Sequence, residues 1–251
     1  MERGSLHDRH ERLTQLGSLV GPVSFARERV LAVVPALEPL LPDAGIIRGS
    51  TLGCQGASAV SVALAAVAGA SGAGSWVAVV GLPWLGLRAA SEVGIALSRL
   101  VMIAETPDIG ETPWVNMAAA LVDGFDLVII RGAPFVRAGA ARRLQARVQA
   151  RGAVLVVVGD PGRFSCDLVI TAQGGTWQGL GEGAGRLERR RLTLSVSGRR
   201  LGRPRQAEVW LPGASGGIEA ATLVQPALVQ PALVQPALVP AALVPAFRQT
   251  G

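Results

Sequence analysis

The sequence predicts an α/β domain in which a mainly parallel sheet carries helices on both faces and closes with antiparallel edge strands. Three observations predict it. Short runs dominated by Val, Ile and Leu recur at residues 76–80, 100–104, 126–130 and 153–158, with helix-like segments between them, the pattern of buried parallel strands joined by crossover helices. From Asp167 onward the strand-like runs shorten, at 167–171, 191–196 and 207–211, as in an antiparallel edge closing the sheet. A hydrophobic content of 49% in 251 residues supplies the core for one such domain with an N-terminal segment and a tail.

Taken in order, residues 1–45 read as a helical segment and linker. Leu13, Leu16, Leu19, Val20, Phe25, Val30, Leu31 and Val34, interrupted by Gly21-Pro22, suggest two short amphipathic helices within 7–34, and prolines punctuate 35–42. The charged start, MERGSLHDRHER, lacks an apolar signal region. His7 and His10 stand three apart with only Asp8 and Glu11 beside them, the pattern of solvated side chains rather than a metal site.

Residues 46–212 form the expected core. A strand at 50–54, a Gly turn, an Ala-rich helix at 57–68, a Gly/Ser loop and the strand 76–80 make a βαβ unit. Gly49 to Leu87 carries no charge, but its helix is too short to span a bilayer and Gly, Ser and Pro break the rest. Helices follow at 87–97, 114–122 and 138–150, with an acidic, Pro-broken loop at 105–113. The run 173–185 reads as a flexible Gly-rich loop bearing Trp177.

Residues 213–251 repeat ALVQP-like units. A proline every five residues forbids a continuous helix or a paired strand and predicts an extended, disordered tail. Such a tail is either a partner-binding strip, with Leu228, Leu233, Leu238 and Phe247 as anchors beside Trp177, or a tolerated expansion in a GC-rich gene.

The turn after the first core strand is where a phosphate-binding loop, G-x-x-x-x-G-K-[ST], would sit. Aligned on Gly56, Thr51 replaces the first Gly and Ala57 the Lys, while Gly53 and Ser58 remain, so the loop is expected to keep its outline and lose its charge. All 24 basic residues are arginine, so this chain holds no lysine to substitute. The strand 126–130 runs into Arg131 where a Mg²⁺-holding Asp would stand, and Gly81, Leu82 and Pro83 occupy the place of a water-activating carboxylate. Trp84 beside them could fill the space of a nucleotide. No catalytic residue, cofactor or metal is expected.

The order of these elements resembles the RecA-type recombinase core over about two-thirds of the chain, with SEVGIALSRLVMI and GRPRQAEVWL matching its helix-to-strand crossing and closing strand. More closely, RGSTLG, GSWVAVVGLPWLGL and ALVDGFDLVIIRG resemble the actinobacterial RecA-like family ImuA′. That resemblance implies an accessory factor of DNA-damage-induced mutagenic translesion synthesis, a cytoplasmic scaffold. The implied partners are ImuB, an inactive Y-family-like polymerase homologue, and through it an error-prone C-family polymerase. The broader resemblance to the RecA family implies two mobile DNA-holding loops, for which the connections 132–138 and 159–163 are too short.

The net charge is +6 and the isoelectric point about 11.2, values that fit an acidic or nucleic-acid partner or a GC-rich genome. Arg142, Arg143, Arg147 and Arg151 recur at helical spacing, and Arg186, Arg189, Arg190, Arg191, Arg199, Arg200, Arg203 and Arg205 crowd the last strands with only Glu188 against them. A solvated basic surface, sequence-independent contact with DNA, and docking on an acidic partner all suit such a cluster. Contact with DNA leaves a sequence-independent DNA-binding accessory protein as an alternative to the scaffold, and a RecA-like cell-division regulator is a third. Cys54 and Cys166 are too few for a disulfide framework, as suits a reducing cytosol.

Overall fold

The computed structural model describes residues 29–104, 110–180 and 185–221. The hydrophobic runs pair into a nine-stranded sheet of order β11-β10-β9-β8-β3-β7-β6-β4-β5, beside a two-stranded sheet of β1 (Val30–Ala32) and β2 (Gly45–Ile47). Strands β3 (Thr51–Gly56), β4 (Val77–Val80), β5 (Leu100–Ile103), β6 (Leu127–Arg131) and β7 (Val154–Val158) run parallel with the first part of β8 (Leu168–Leu180). β9 (Gly185–Gly198), β10 (Arg205–Trp210) and β11 (Glu219–Ala220) complete the sheet antiparallel.

Period-two alternation divides the core. Val154, Val156, Leu127 and Ile129 face one helical layer, while Leu155, Val157, Val128 and Ile130 face the other. The first layer is α1 (Ala59–Gly72) with the short α2 (Leu87–Val93); the second is α3 (Glu111–Gly124) with α4 (Ala138–Arg151), around a fully buried Trp114. Being covered on both faces is what makes β4 and β7 apolar at every position.

The expected helices and strands recur with shifted ends, each for a physical reason. Helix α1 continues through Gly69 to Gly72, because the small residues read as a loop are where another segment crosses. A Cβ on Gly69 would lie 2.5 Å from the Val33 carbonyl carbon. Helix α2 stops at Gly94, whose left-handed φ of 110° forms the C-cap and whose N–H reaches Ser91 O at 3.0 Å. Helix α3 begins three residues before Trp114, since Pro113 lies in its first turn, where a missing N–H breaks no helical bond.

Three boundary expectations are corrected. The stretch from Val30 to Ala32 is a strand, and Leu37, Leu40 and Leu41 are buried to within 1%, so the described end of the segment read as helix and linker, from residue 30 on, is part of the core. Burying each such leucine stabilises the fold by about 1.5–3 kcal/mol. Of the run 173–185, residues 173–180 are strand and not loop. Gln173 to Leu180 extends β8 into a long ribbon with β9, and Gly174 and Gly175, at φ of 77° and 141°, form a bulge in it. Residues 213–221 likewise belong to the fold, because β11 pairs with β10 and Glu219 accepts from the Ser215 N–H and hydroxyl. The N-terminal helices before residue 29, both histidines and the repeat anchors Leu228, Leu233, Leu238 and Phe247 lie outside the described residues.

Candidate functional site

In open α/β sheets ligands sit beyond the carboxyl ends of the parallel strands. Here that end is closed by backbone. β3 pairs with β7 up to Cys54 opposite Val158, and with β8 up to Gly56 opposite Ala172, so only Ala57 and Ser58 separate strand from helix. Gly53 lies inside the strand, its position of a Cβ 3.0 Å from Cys166 Sγ. The expectation that a phosphate loop keeps its outline is therefore corrected. The residues aligned with the loop are strand, and their N–H groups serve the ladder. Gly56 is required for a different reason, since at φ 90° its Cβ would fall 2.1 Å from the Ala172 carbonyl oxygen.

The neighbouring strand ends are alike. Arg131 closes β6 with its side chain exposed, and a Cβ on the following Gly132 would meet the Asp160 carbonyl oxygen at 2.0 Å. Asp160 turns back on its own loop, accepting from Gly162 N–H at 2.9 Å. Beyond β4, Leu82 is buried, whereas Trp84 is 63% exposed and fills no internal space, which corrects its assignment to a nucleotide's place. Neither cysteine offers a thiolate: burial pushes the Cys54 thiol far up and raises Cys166 to about 11, Asp167 adding to the latter. Among the described residues no three His, Cys, Asp or Glu side chains gather as metal ligands, and no helix is long and apolar enough to cross a membrane.

The arginines separate into three groups. Those on the β8–β9 ribbon rise beyond the carboxyl ends of the strands. Arg190 lies over the Trp177 ring at 5.2 Å and donates to Leu211 O at 3.2 Å; Arg189 lies over Trp210 at 4.4 Å and donates to Gln178 Oε1; Arg191 pairs with Glu208; Arg186 is exposed near the tip. The two tryptophans that bracket this stretch in sequence thus contact its arginines directly, on opposite faces of the ribbon. Trp177 lies on the ribbon at 38% exposure, with the exposed Leu180 and Leu187 nearer the tip.

A second group is structural. Arg205 Nη1 donates to Leu41 O at 2.7 Å and Pro39 O at 3.1 Å, and Arg147 and Arg151 of α4 both clasp Asp123 of α3. These bonds hold the Asp123 carboxyl down at about 2, the Arg147 hydrogen bond foremost. Arg143, Arg147 and Arg151 are all exposed at four-residue spacing on α4, and the last two of them are held by Asp123. Arg203 is exposed in the turn before β10.

The third group is a juxtaposition that linear reading missed. At the amino ends of β3 and β8, Arg142 of α4 and Arg199 and Arg200 from the turn after β9 share a cleft of about 810 Å³ with Arg29 and Arg48. Its floor is hydrogen-bonded. Gln145 Nε2 donates to Thr51 Oγ1 at 3.0 Å and Ser165 O at 2.7 Å, and Thr51 N–H donates to Asp167 Oδ2 at 2.9 Å. Arg48 is held by Asp126 at 3.0 Å, and Arg199 donates to Ser165 Oγ at 2.7 Å. The one hint in sequence is Arg48, the last charge before the long uncharged run.

Residues 39–162 match the family described as the MT3502 N-terminal domain. Over 169 residues the chain is 36% identical to the uncharacterized protein Rv3395c of Mycobacterium tuberculosis (strain ATCC 25618 / H37Rv), spanning 66% of this chain and 69% of that protein. The chain belongs to the MT3502 family. The matched MT3502 stretch runs from the first 3-10 turn through β7 and ends before the ribbon and before Arg199 and Arg200. The crystal structure of the RadB recombinase superposes with a TM-score of 0.55 at 13% identity, over 75% of this chain and 97% of that one, so the MT3502 fold is RecA/RadB-like.

Proposed function

We propose that this chain is a non-catalytic RecA-like accessory protein of DNA-damage-induced mutagenic translesion synthesis, acting in the cytoplasm as a scaffold. Its partner in this reading is an inactive Y-family-like polymerase homologue of the ImuB type, and through it an error-prone C-family polymerase. The observation that carries the non-catalytic half is β3, paired with β7 to Cys54 and with β8 to Gly56 and followed by a two-residue turn. Phosphoryl transfer depends on positioned charge, and Ala57, Arg131 and the Gly81-Leu82-Pro83 turn supply none of the usual groups. The resemblance of RGSTLG, GSWVAVVGLPWLGL and ALVDGFDLVIIRG to the ImuA′ family supports the repair half.

Two measurements test the halves separately. Purified protein with ATP, Mg²⁺ and single-stranded DNA should release no phosphate above a no-protein blank; sustained turnover refutes the non-catalytic reading. Full-length chain and a version ending at Ala221, which keeps β11, serve as baits in a lysate of DNA-damaged actinobacteria. Recovery of the polymerase homologue by the full chain supports the scaffold, and its loss on truncation assigns the contact to the repeats. Failure of both baits to retrieve any translesion component removes the role in synthesis.

A further inference from the structure

We infer that the cleft at the amino ends of β3 and β8 is a binding site for the sugar-phosphate backbone of nucleic acid. It lies at the opposite end of the sheet from the position where a RecA-like fold would hold a nucleotide, and it does not depend on the scaffold reading.

The first argument is charge. Five arginines line the cleft against one carboxylate, Asp167, and that carboxylate is already engaged by the Thr51 N–H and lies 3.9 Å from Arg199. The side chains of Arg29, Arg142 and Arg200 have no hydrogen-bond or ion-pair partner among the described residues, and all three are exposed. They come from three separate parts of the chain: the start of the described structure, a helix and a hairpin turn. A solvated face would not need such convergence. Concave surfaces lined by one sign of charge concentrate the opposite charge.

The second argument is rigidity. The fork of Gln145 between the Thr51 hydroxyl and the Ser165 backbone, returned by Ser165 N–H to Gln145 Oε1 at 3.2 Å, locks α4 to the start of β3 and to the connection before β8. Gly49 lets the chain pass closely over α4, where a Cβ would stand 3.1 Å from Gln149 Cα. The guanidinium groups therefore project from a fixed floor, which limits the ordering cost on binding.

The third argument separates phosphate from an acidic protein. Protein interfaces gain affinity from apolar and aromatic anchors in desolvated pockets. Among the described residues this cleft has no aromatic lining, and Ile47 and Ala146 are its only larger-than-glycine aliphatic ones. Guanidinium forks with hydroxyl and amide neighbours suit phosphate oxygens. With no ring for base stacking, the contact is independent of sequence and acts on single strands and duplexes alike.

The test uses the full chain with fluorescein-labelled single-stranded and duplex DNA of scrambled sequence, read by anisotropy between about 50 and about 200 mM salt. The variant Arg142→Ser/Arg200→Ser should lower the slope of log K against log salt by about 2, weakening binding by about tenfold at low salt. Both side chains are exposed, so circular dichroism should match wild type. Arg200→Glu, the same change of two charges, should weaken binding to a similar extent, and Arg186→Ser/Arg189→Ser on the ribbon should keep the wild-type slope. The inference is overturned if the full chain binds neither DNA at low salt, if the cleft variant keeps the wild-type slope, or if polyglutamate displaces DNA at lower charge concentration than unlabelled DNA does. Single-stranded and duplex arms that differ by more than about tenfold would overturn the claim of indifference to strandedness.

Discussion

Arg205 and Leu41 are joined across 164 positions of sequence: the guanidinium at the start of β10 donates to the Leu41 carbonyl at 2.7 Å, and to that of Pro39 at 3.1 Å. The 3-10 turn Glu38–Leu40 thereby gains a partner for carbonyls that its own short ladder leaves free. Replacing Arg205 by Ala should destabilise the protein by roughly 1–3 kcal/mol. Hydrogen exchange should report the loss first at the Leu40 and Leu41 amides, which bond to Leu37 O and Glu38 O. Unchanged exchange there would show that the contact does not secure the segment.

Gly56 supplies a second test, because its place in the fold and its place in a phosphate loop predict different outcomes. Gly56→Ala should cost roughly 2–4 kcal/mol, from a left-handed φ and a clash with the Ala172 carbonyl. Urea unfolding measures it. A fully stable variant would mean that the two strands do not meet as described.

Restoring the missing charge should not restore the missing loop. Ala57→Lys with Arg131→Asp places both side-chain types at the aligned positions, yet β3 remains strand to Gly56. Titration calorimetry with MgATP should show no heat of binding. Micromolar affinity in this double variant would demonstrate that the turn opens around phosphate.

The clasp of Arg147 and Arg151 on Asp123 gives a pH dependence with a definite sign. The folded carboxyl titrates at about 2 rather than 3.8. Its contribution is thus present above the unfolded value and is lost as pH falls through the interval between the two. Asp123→Asn should lower the thermal midpoint at neutral pH, and the gap from wild type should close between about pH 4 and pH 2. A gap that stays constant through that interval would detach the effect from the carboxylate's charge.

The alternation of buried strands and helices was legible because it is a local signal. Val154–Val158 and Leu127–Arg131 carry their burial in their composition, and the coming antiparallel edge showed in the spacing of the later strands. What failed depended on distant chain. Gly69 reads as a breaker until Val33 is found across it, and Gly174-Gly175 reads as a loop until β9 pairs beside the bulge. The prolines at 35–42 similarly concealed Leu37, Leu40 and Leu41, whose 3-10 turn packs against the distant β10. The arginine cluster was visible as a count, but its chemistry was not. Adjacent Arg189 and Arg190 go to opposite faces of a strand, while Arg142 and Arg200 converge only through the topology.

β9 carries the ribbon at its first residues and the cleft turn just after its last, on a single strand of 14 residues. An extended chain of that length measures roughly 45 Å, so the two basic surfaces point away from each other along one stiff rod. A mutation at one end would leave the other sterically untouched. The strand sets the spacing between any such pair as a ruler does, a property that belongs to its length and not to any of its side chains.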